Sequence, residues 1–286
     1  LGPLLGWGLY PTIVSKIGGK PVNQILGSTL GTLIFALVFS MSQGIHLASG
    51  MDLFLGILSG IGWAAGQIVT FYCFSLIGSS KVMPITTAFQ LLAASLWGVV
   101  ALGNWPGVSA KILGAFSLIL IIFGASLTVW SEEKTPASTG LLRKVVIFLA
   151  LGAIGYWAYS AAPQASNLSG QEAFLPQAIG MLLTALIYSI VISFKEKTKM
   201  AIFESVSYKH IISGFFFAFA ALTYLISAQP DMNGLATGFI LSQTSVVLAT
   251  LTGIWFLNQR KTKKEMLLTI IGLVLIIIAA SITVTI

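Results

Sequence analysis

Gln67, Gln90 and Gln243 are primary amides set inside long runs that carry no charged residue. An amide buried without a partner costs roughly 2–7 kcal/mol, so each must face a partner helix or a wet cavity. Gln67 has Trp63 four residues before it and Thr70 three after it, which puts all three on one helix face. Gln177 lies in the outer third of a further run, and Asn23 and Gln24 open another. Tyr156, Trp157 and Tyr159 cluster in one apolar segment, and Trp7 and Tyr10 in another. Amides offer both donors and acceptors, which suits hydroxyl groups. Aromatic rings cover the apolar face of a ring compound while its edges stay wet. Uncharged amides with aromatics therefore point to a neutral polyhydroxyl ligand. Each group also has a plainer reading. Gln67 could tie two helices together, worth about 0.6 kcal/mol. The aromatics could form an interfacial belt, which suits Trp105 and Trp130 well and mid-span Trp63 poorly.

The ionisable residues avoid the middle of these runs. Asp52, Glu172 and Asp231 stand at run ends, and Glu132, Glu133, Glu196, Glu204 and Glu265 in connections. Glu172, within two turns of Gln177, is the candidate for proton coupling; its other reading is a solvated acid favoured by a helix start. His46 and His210 fall near run ends and read as loop residues. No metal-ligand cluster is visible, and two distant histidines do not make a catalytic constellation. No enzyme, metal or cofactor is expected. Cys73 is the only cysteine, so no internal disulfide is possible.

These residues need elements to hold them. The chain is 56% hydrophobic and 8% charged, against about 25% charged in a soluble domain. A helix needs about 20 apolar residues to cross the bilayer core. The runs predict spans at 1–15, 23–41, 53–77, 82–102, 112–130, 144–163, 172–194, 210–228, 234–257 and 266–286. The chain opens on Leu1 rather than methionine, so the first span is expected to lack its start. An outer-membrane barrel would show segments of about 10 alternating residues, which these runs do not resemble. Of the 15 basic residues, 14 follow odd-numbered spans. Such a bias marks the cytoplasmic side and predicts both termini outside. It also accounts for the +7 net charge without a nucleic-acid partner.

The two halves resemble each other. "LGSTLGTLIFAL" (26–37) aligns with "LPQAIGMLLTAL" (175–186) at an offset of 149, and "GVVALGNW" (98–105) with "GIWFLNQR" (253–260) at 155. The change in offset falls where the second half has its longer connection, 195–209. The expected fold is therefore all-α: a polytopic membrane protein of ten transmembrane helices in two five-helix repeats. The repeats are residues 1–130 and 143–286, joined by a polar cytoplasmic connection at 131–142. Five is odd, so the second copy must be inverted, a plan known from secondary transporters. The Gly27/Gly31, Gly56/Gly60, Gly62/Gly66 and Gly234/Gly238 pairs read first as helix-packing sites. Pro11, Pro84, Pro163 and Pro176, in or at the ends of spans, mark kinks.

"NQILGSTLGTL" (23–33), "GWAAGQ" (62–67), "SKVMPITTAFQLLAASLWGVVALGNW" (80–105) and "GFILSQTSVVLATLTGIWFLNQRKTKKE" (238–265) together resemble the glucose/ribose porter family of the drug/metabolite transporter superfamily. The resemblance implies ten helices in inverted halves, a cytoplasmic-membrane location, and monosaccharide uptake by alternating access, often described as proton-coupled. It points to Asn23, Gln24, Trp63, Gln67 and Gln90. Relatives often carry an acid where this chain has Asn104, which bears on coupling. The competing function is export of drugs or metabolites, as elsewhere in the superfamily. Small exporters depend on a Glu in the first helix, and residues 1–15 hold none.

Overall fold

The computed structural model describes residues 1–100, 105, 107–132, 135–227, 229, 232, 242 and 244–285. Among them the chain is helical and holds no strand. The long helices are α1 (Gly2–Ile17), α2 (Pro21–Gln43), α3 (Gly50–Ile77), α4 (Ser79–Val100), α5 (Val108–Thr128), α6 (Pro136–Ala161), α7 (Gly170–Glu196), α8 (Ile211–Ser227), α9 (Ser245–Phe256) and α10 (Lys263–Val284). A five-residue helical turn, Ser205–Lys209, leads into α8. Seven stretches are long and apolar enough to cross a membrane: those of α2, α3, α5, α6, α7, α8 and α10. The protein is thus built as a multi-pass membrane protein. α1 has 16 residues and α9 has 12 described ones, both below a full crossing. α4 carries Ser79, Ser80, Lys81, Thr86, Thr87 and Gln90, which lower its hydropathy.

Helix starts follow local chemistry. Thr135 accepts from Ser138 N, Ser169 from Glu172 N, and Thr262 from Glu265 N, so α6, α7 and α10 each begin on a capping box. The cap at Thr135 starts α6 at Pro136, eight residues before the expected span and inside the connection read as polar. α1 and α2 turn on Gly18 and Gly19, at φ 79° and 82°, a conformation that favours glycine. Pro11, Pro84 and Pro176 lie within helices, and Pro163 sits in a short 3₁₀ turn, Ala162–Ala165.

α3 packs against α6 and α7, and α8 against α1 and α2. α4 contacts α6 and α9, while α5 pairs with α10 at the edge of the bundle. Because lipid is as apolar as leucine, close packing rather than the hydrophobic effect holds such helices together. Gly60 shows how close: a Cβ there would lie 2.0 Å from Gln177 O. Outward-facing Ile112, Phe116, Ile119 and Phe123 of α5 are exposed, as a lipid-facing side requires.

Connections after odd-numbered helices interlock at one end, the end rich in Lys and Arg. Lys20 Nζ meets Glu196 Oε2 at 2.7 Å, and Gln259 Oε1 accepts from Ser80 N at 2.9 Å. Ser131 Oγ donates to Glu265 Oε1 at 2.8 Å. At the opposite end, Asn167 N donates to Asp52 Oδ1 at 3.1 Å.

Candidate functional site

Near the middle of the bundle, α1, α3, α4, α6, α8 and α9 enclose a cavity of about 60 Å³. That is room for about four waters. Its polar wall is Gln67, Thr70, Thr86, Thr87, Gln90, Ser160 and Ser245; its aromatic wall is Trp7, Tyr10, Trp63, Tyr156, Tyr159 and Phe217. No charged side chain is among these lining residues.

Gln67, 7% exposed, sits where α3 passes α6. Tyr156 OH donates to Gln67 Oε1 at 2.8 Å and lies 2.9 Å from Thr70 Oγ1. Thr70 Oγ1 also reaches Gly66 O at 3.0 Å. These contacts need α3 and α6 to run within backbone distance. Gly62, Gly66 and Gly155 allow it: a Cβ on Gly155 would lie 2.4 Å from Gly62 O. Gln90 is half-buried, its nearest polar neighbour Thr86 Oγ1 at 3.4 Å. The Trp63 and Phe217 rings are in direct contact in the cavity wall, their centres 4.1 Å apart. The Nε1 of Trp7 and the hydroxyl of Tyr159 are buried and have no hydrogen-bond partner among the described residues. Leaving such groups unpaired costs about 1–3 kcal/mol each. A hydroxyl-bearing ligand between these walls relieves that cost.

A second, larger space of about 550 Å³ lies toward the Asp52–Asn167 end. It is lined by Gln164, Ser166, Asn167, Ser169 and Gln229 and shares Tyr159 and Ser160 with the inner cavity. The two spaces therefore adjoin across one turn of α6.

The sequence-selected residues divide accordingly. Gln67, Trp63, Gln90, Tyr156, Tyr159 and Tyr10 meet at the cavity. Gln177 does not line it: wholly buried, it donates through Nε2 to Ser59 Oγ at 2.9 Å, and Ser59 donates to Tyr159 O at 2.7 Å. Trp157 is on the outer face of α6, edge-on to Trp97 with ring centres 5.1 Å apart. Asn23 lies at the basic end, donating to Glu204 Oε2 at 2.7 Å and Ser207 Oγ at 3.0 Å and accepting from Lys20 N at 3.0 Å. Gln24 is beside it, 3.4 Å from Gly18 O. The carboxylate of exposed Glu172 is occupied by Ser169 N at 2.8 Å and Ser169 Oγ at 2.7 Å. Gln243, Asp231, Asn104 and the Gly234/Gly238 pair lie outside the described residues. His210 sits in the turn between Ser205–Lys209 and α8, as a connection residue, but it is fully buried: it holds Gly18 O at 2.9 Å through Nε2 and packs where Gly27 leaves room. Thr86, Thr87, Ser160, Phe217 and Ser245 were not singled out from sequence. The 149-residue offset would have found Ser160 opposite Pro11.

A family model described as "Sugar transport protein" matches residues 1–286. The chain belongs to this family. A protein of Enterococcus faecalis described as "Putative ribose uptake protein RbsU" is 70% identical over 100% of this chain and 97% of its own. The protein of Lactiplantibacillus plantarum with the same description is 69% identical over the same shares. A solved structure, "Crystal structure of protein", overlays with a TM-score of 0.65 at 17% identity. It covers 98% of this chain and 94% of its own, and at that identity the likeness concerns the fold alone. The cavity is thus a feature of a sugar transport family member.

Proposed function

We propose that this protein takes up a neutral monosaccharide, of ribose or glucose type, across the cytoplasmic membrane by alternating access. The observation that carries the reading is the central cavity, in which uncharged hydrogen-bonding groups face aromatic rings with no charged residue among the described lining. Such walls suit a hydroxyl-bearing ring better than an ion or an organic cation. The names of the close relatives point the same way.

Alternating access needs two bodies around the site, and we read residues 1–130 and 143–286 as inverted repeats joined by 131–142. The cavity supports this. Trp7, Tyr10 and Pro11 of α1 stand 149 residues before Tyr156, Tyr159 and Ser160 of α6, and all six line it. Trp63 precedes Phe217 by 154 residues, and Gln90 precedes Ser245 by 155. The helix crossings match too: a Cβ on Gly31 would lie 2.3 Å from Ile211 O, and one on Gly180 would lie 2.1 Å from Ile57 O. Those residues are related by the same offsets. The basic end is then cytoplasmic and closed by its interlocked connections, and both termini face out. The larger space is the outer vestibule. The cavity must widen to seat a sugar, by parting of the two halves.

Uptake of radiolabelled ribose and glucose into proteoliposomes tests this. Gln67→Ala and Gln90→Ala are expected to cut uptake at least tenfold, and wild-type rates in both variants would remove the site. An imposed pH gradient, applied to wild type and Glu172→Gln, tests coupling. Equal responses in the two proteins would leave Glu172 only its cap.

A further inference from the structure

Gln67 Oε1 is held by the Tyr156 hydroxyl at 2.8 Å, so Gln67 Nε2 is the side of the amide left toward the cavity. No described residue is hydrogen-bonded to that nitrogen. An amide NH₂ has two donors and no acceptor, whereas its oxygen accepts only. Whichever atom faces the ligand fixes what the ligand must offer. From this, and resting on the sugar-site reading above, we infer that Tyr156 is a positioning residue that fixes the Gln67 amide nitrogen-inward. The site therefore reads one sugar oxygen as an acceptor.

Three features support the arrangement. Tyr156 is 7% exposed, and its hydroxyl is braced on the far side by Thr70 Oγ1 at 2.9 Å. The Thr70 hydroxyl is itself anchored within 3.0 Å of the Gly66 carbonyl, on the same helix as Gln67. The chain Thr70–Tyr156–Gln67 thus spans α3 and α6 and ends in the cavity. The opposite number of the Tyr156–Gln67 pair in the bundle carries no side-chain amide and no hydroxyl. The positions offset by 154 and 149 residues from Gln67 and Tyr156 are Ala221, and Trp7 before it, so this relay exists at one pole only. A bound ring would turn its hydroxyl edge to that pole and its C–H face to Trp63 and Phe217.

The test is a competition assay on the full chain in proteoliposomes, using ribose analogues with each hydroxyl in turn removed or replaced by fluorine. Fluorine accepts weakly and never donates. Where the protein donates, the fluoro analogue should bind several-fold better than the deoxy one; where it accepts, both should be equally poor. One position is expected to show the fluoro preference in wild type. Tyr156→Phe keeps the ring but frees the amide to turn, and should erase that preference. Gln67→Glu, of the same shape without N–H donors, should erase it as well. A purely structural role for Tyr156 would weaken all analogues in proportion and leave their ratios intact, which would overturn the inference. A wild type that treats fluoro and deoxy analogues alike at every position would overturn it too, with sugar uptake still standing. Failure of every neutral sugar to compete would overturn the proposed function and this inference together.

Discussion

Gln67 and Gln177 are the same side chain in helices of similar apolarity, yet their surroundings use them differently. Gln67 spends its oxygen on Tyr156 and turns its nitrogen to a cavity. Gln177 spends its nitrogen on Ser59, and its oxygen is buried without a hydrogen-bond partner among the described residues. A buried carbonyl left unpaired offsets much of what the other bond gains. Gln177→Met, of similar volume, should therefore change stability by no more than about 1 kcal/mol. Sugar KM should stay within twofold of wild type. Thermal unfolding in detergent and uptake kinetics check the two halves of this expectation. A tenfold rise in KM would return Gln177 to the binding site.

Among the elements, α5 and α10 pack tightly on each other, and among the described residues α4 is their main contact with the rest, so their ends need fastening. Lys261, in the connection before α10, supplies it. Its ammonium donates to the Thr128 carbonyl at the end of α5 and to Thr269 Oγ1 at 2.7 Å. A cation at a helix C-terminus is favourable there. Burial nevertheless lowers the Lys261 pKa, nearby Lys81 adds to the fall and Glu265 opposes both, leaving it at about 8 against an ordinary 10.5. The folded state thus gives up this proton at lower pH than the unfolded chain does. Between about pH 8 and 10.5 the unfolded state holds more protons, so this group adds stability as pH rises through that window. Below it the cost of the buried charge is carried in full. The unfolding midpoint should climb with pH across the window in wild type, and the climb should flatten in Lys261→Met. A parallel climb in both would assign it to another group.

At the scale of the whole molecule, the two ends differ. The basic end is tied by Lys20–Glu196, Asn23–Glu204 and His210–Gly18, each joining the α1–α2 region to the α7–α8 connection. Lys20 and Glu196 are both largely solvent-exposed, and exposed pairs contribute little, roughly 0–1 kcal/mol. The better-shielded bond from Asn23, a residue only 1% exposed, should matter more. Glu204→Ala removes its acceptor and should tilt the molecule toward opening at that end. A cysteine placed at cavity-lining Thr87, with Cys73→Ser, reports this through a membrane-impermeant thiol reagent. Labelling from the basic side should rise several-fold in the Glu204→Ala background. Unchanged labelling would show that other contacts hold the end shut.

Hydropathy and charge bias are one-dimensional quantities, and they predicted ten transmembrane helices; among the described residues ten main helices stand at the corresponding places, and seven stretches are long and apolar enough to cross a membrane. Local capping moved the start of α6, because Thr135 and Ser138 satisfy a helix end that hydropathy alone does not register. Seven cavity residues, Trp7 included, could be chosen from sequence because an amide or aromatic inside an apolar run must answer to something. What it answers to is set by which helices cross. Asn23, at the opening of a run, and Gln177, in the outer third of one, were chosen beside them, and tertiary packing gave them Glu204 and Ser59 as partners. The composition of a span determines that its polar groups need company; only the fold decides whether that company is another side chain or an open space, because both satisfy the same donors and acceptors equally well.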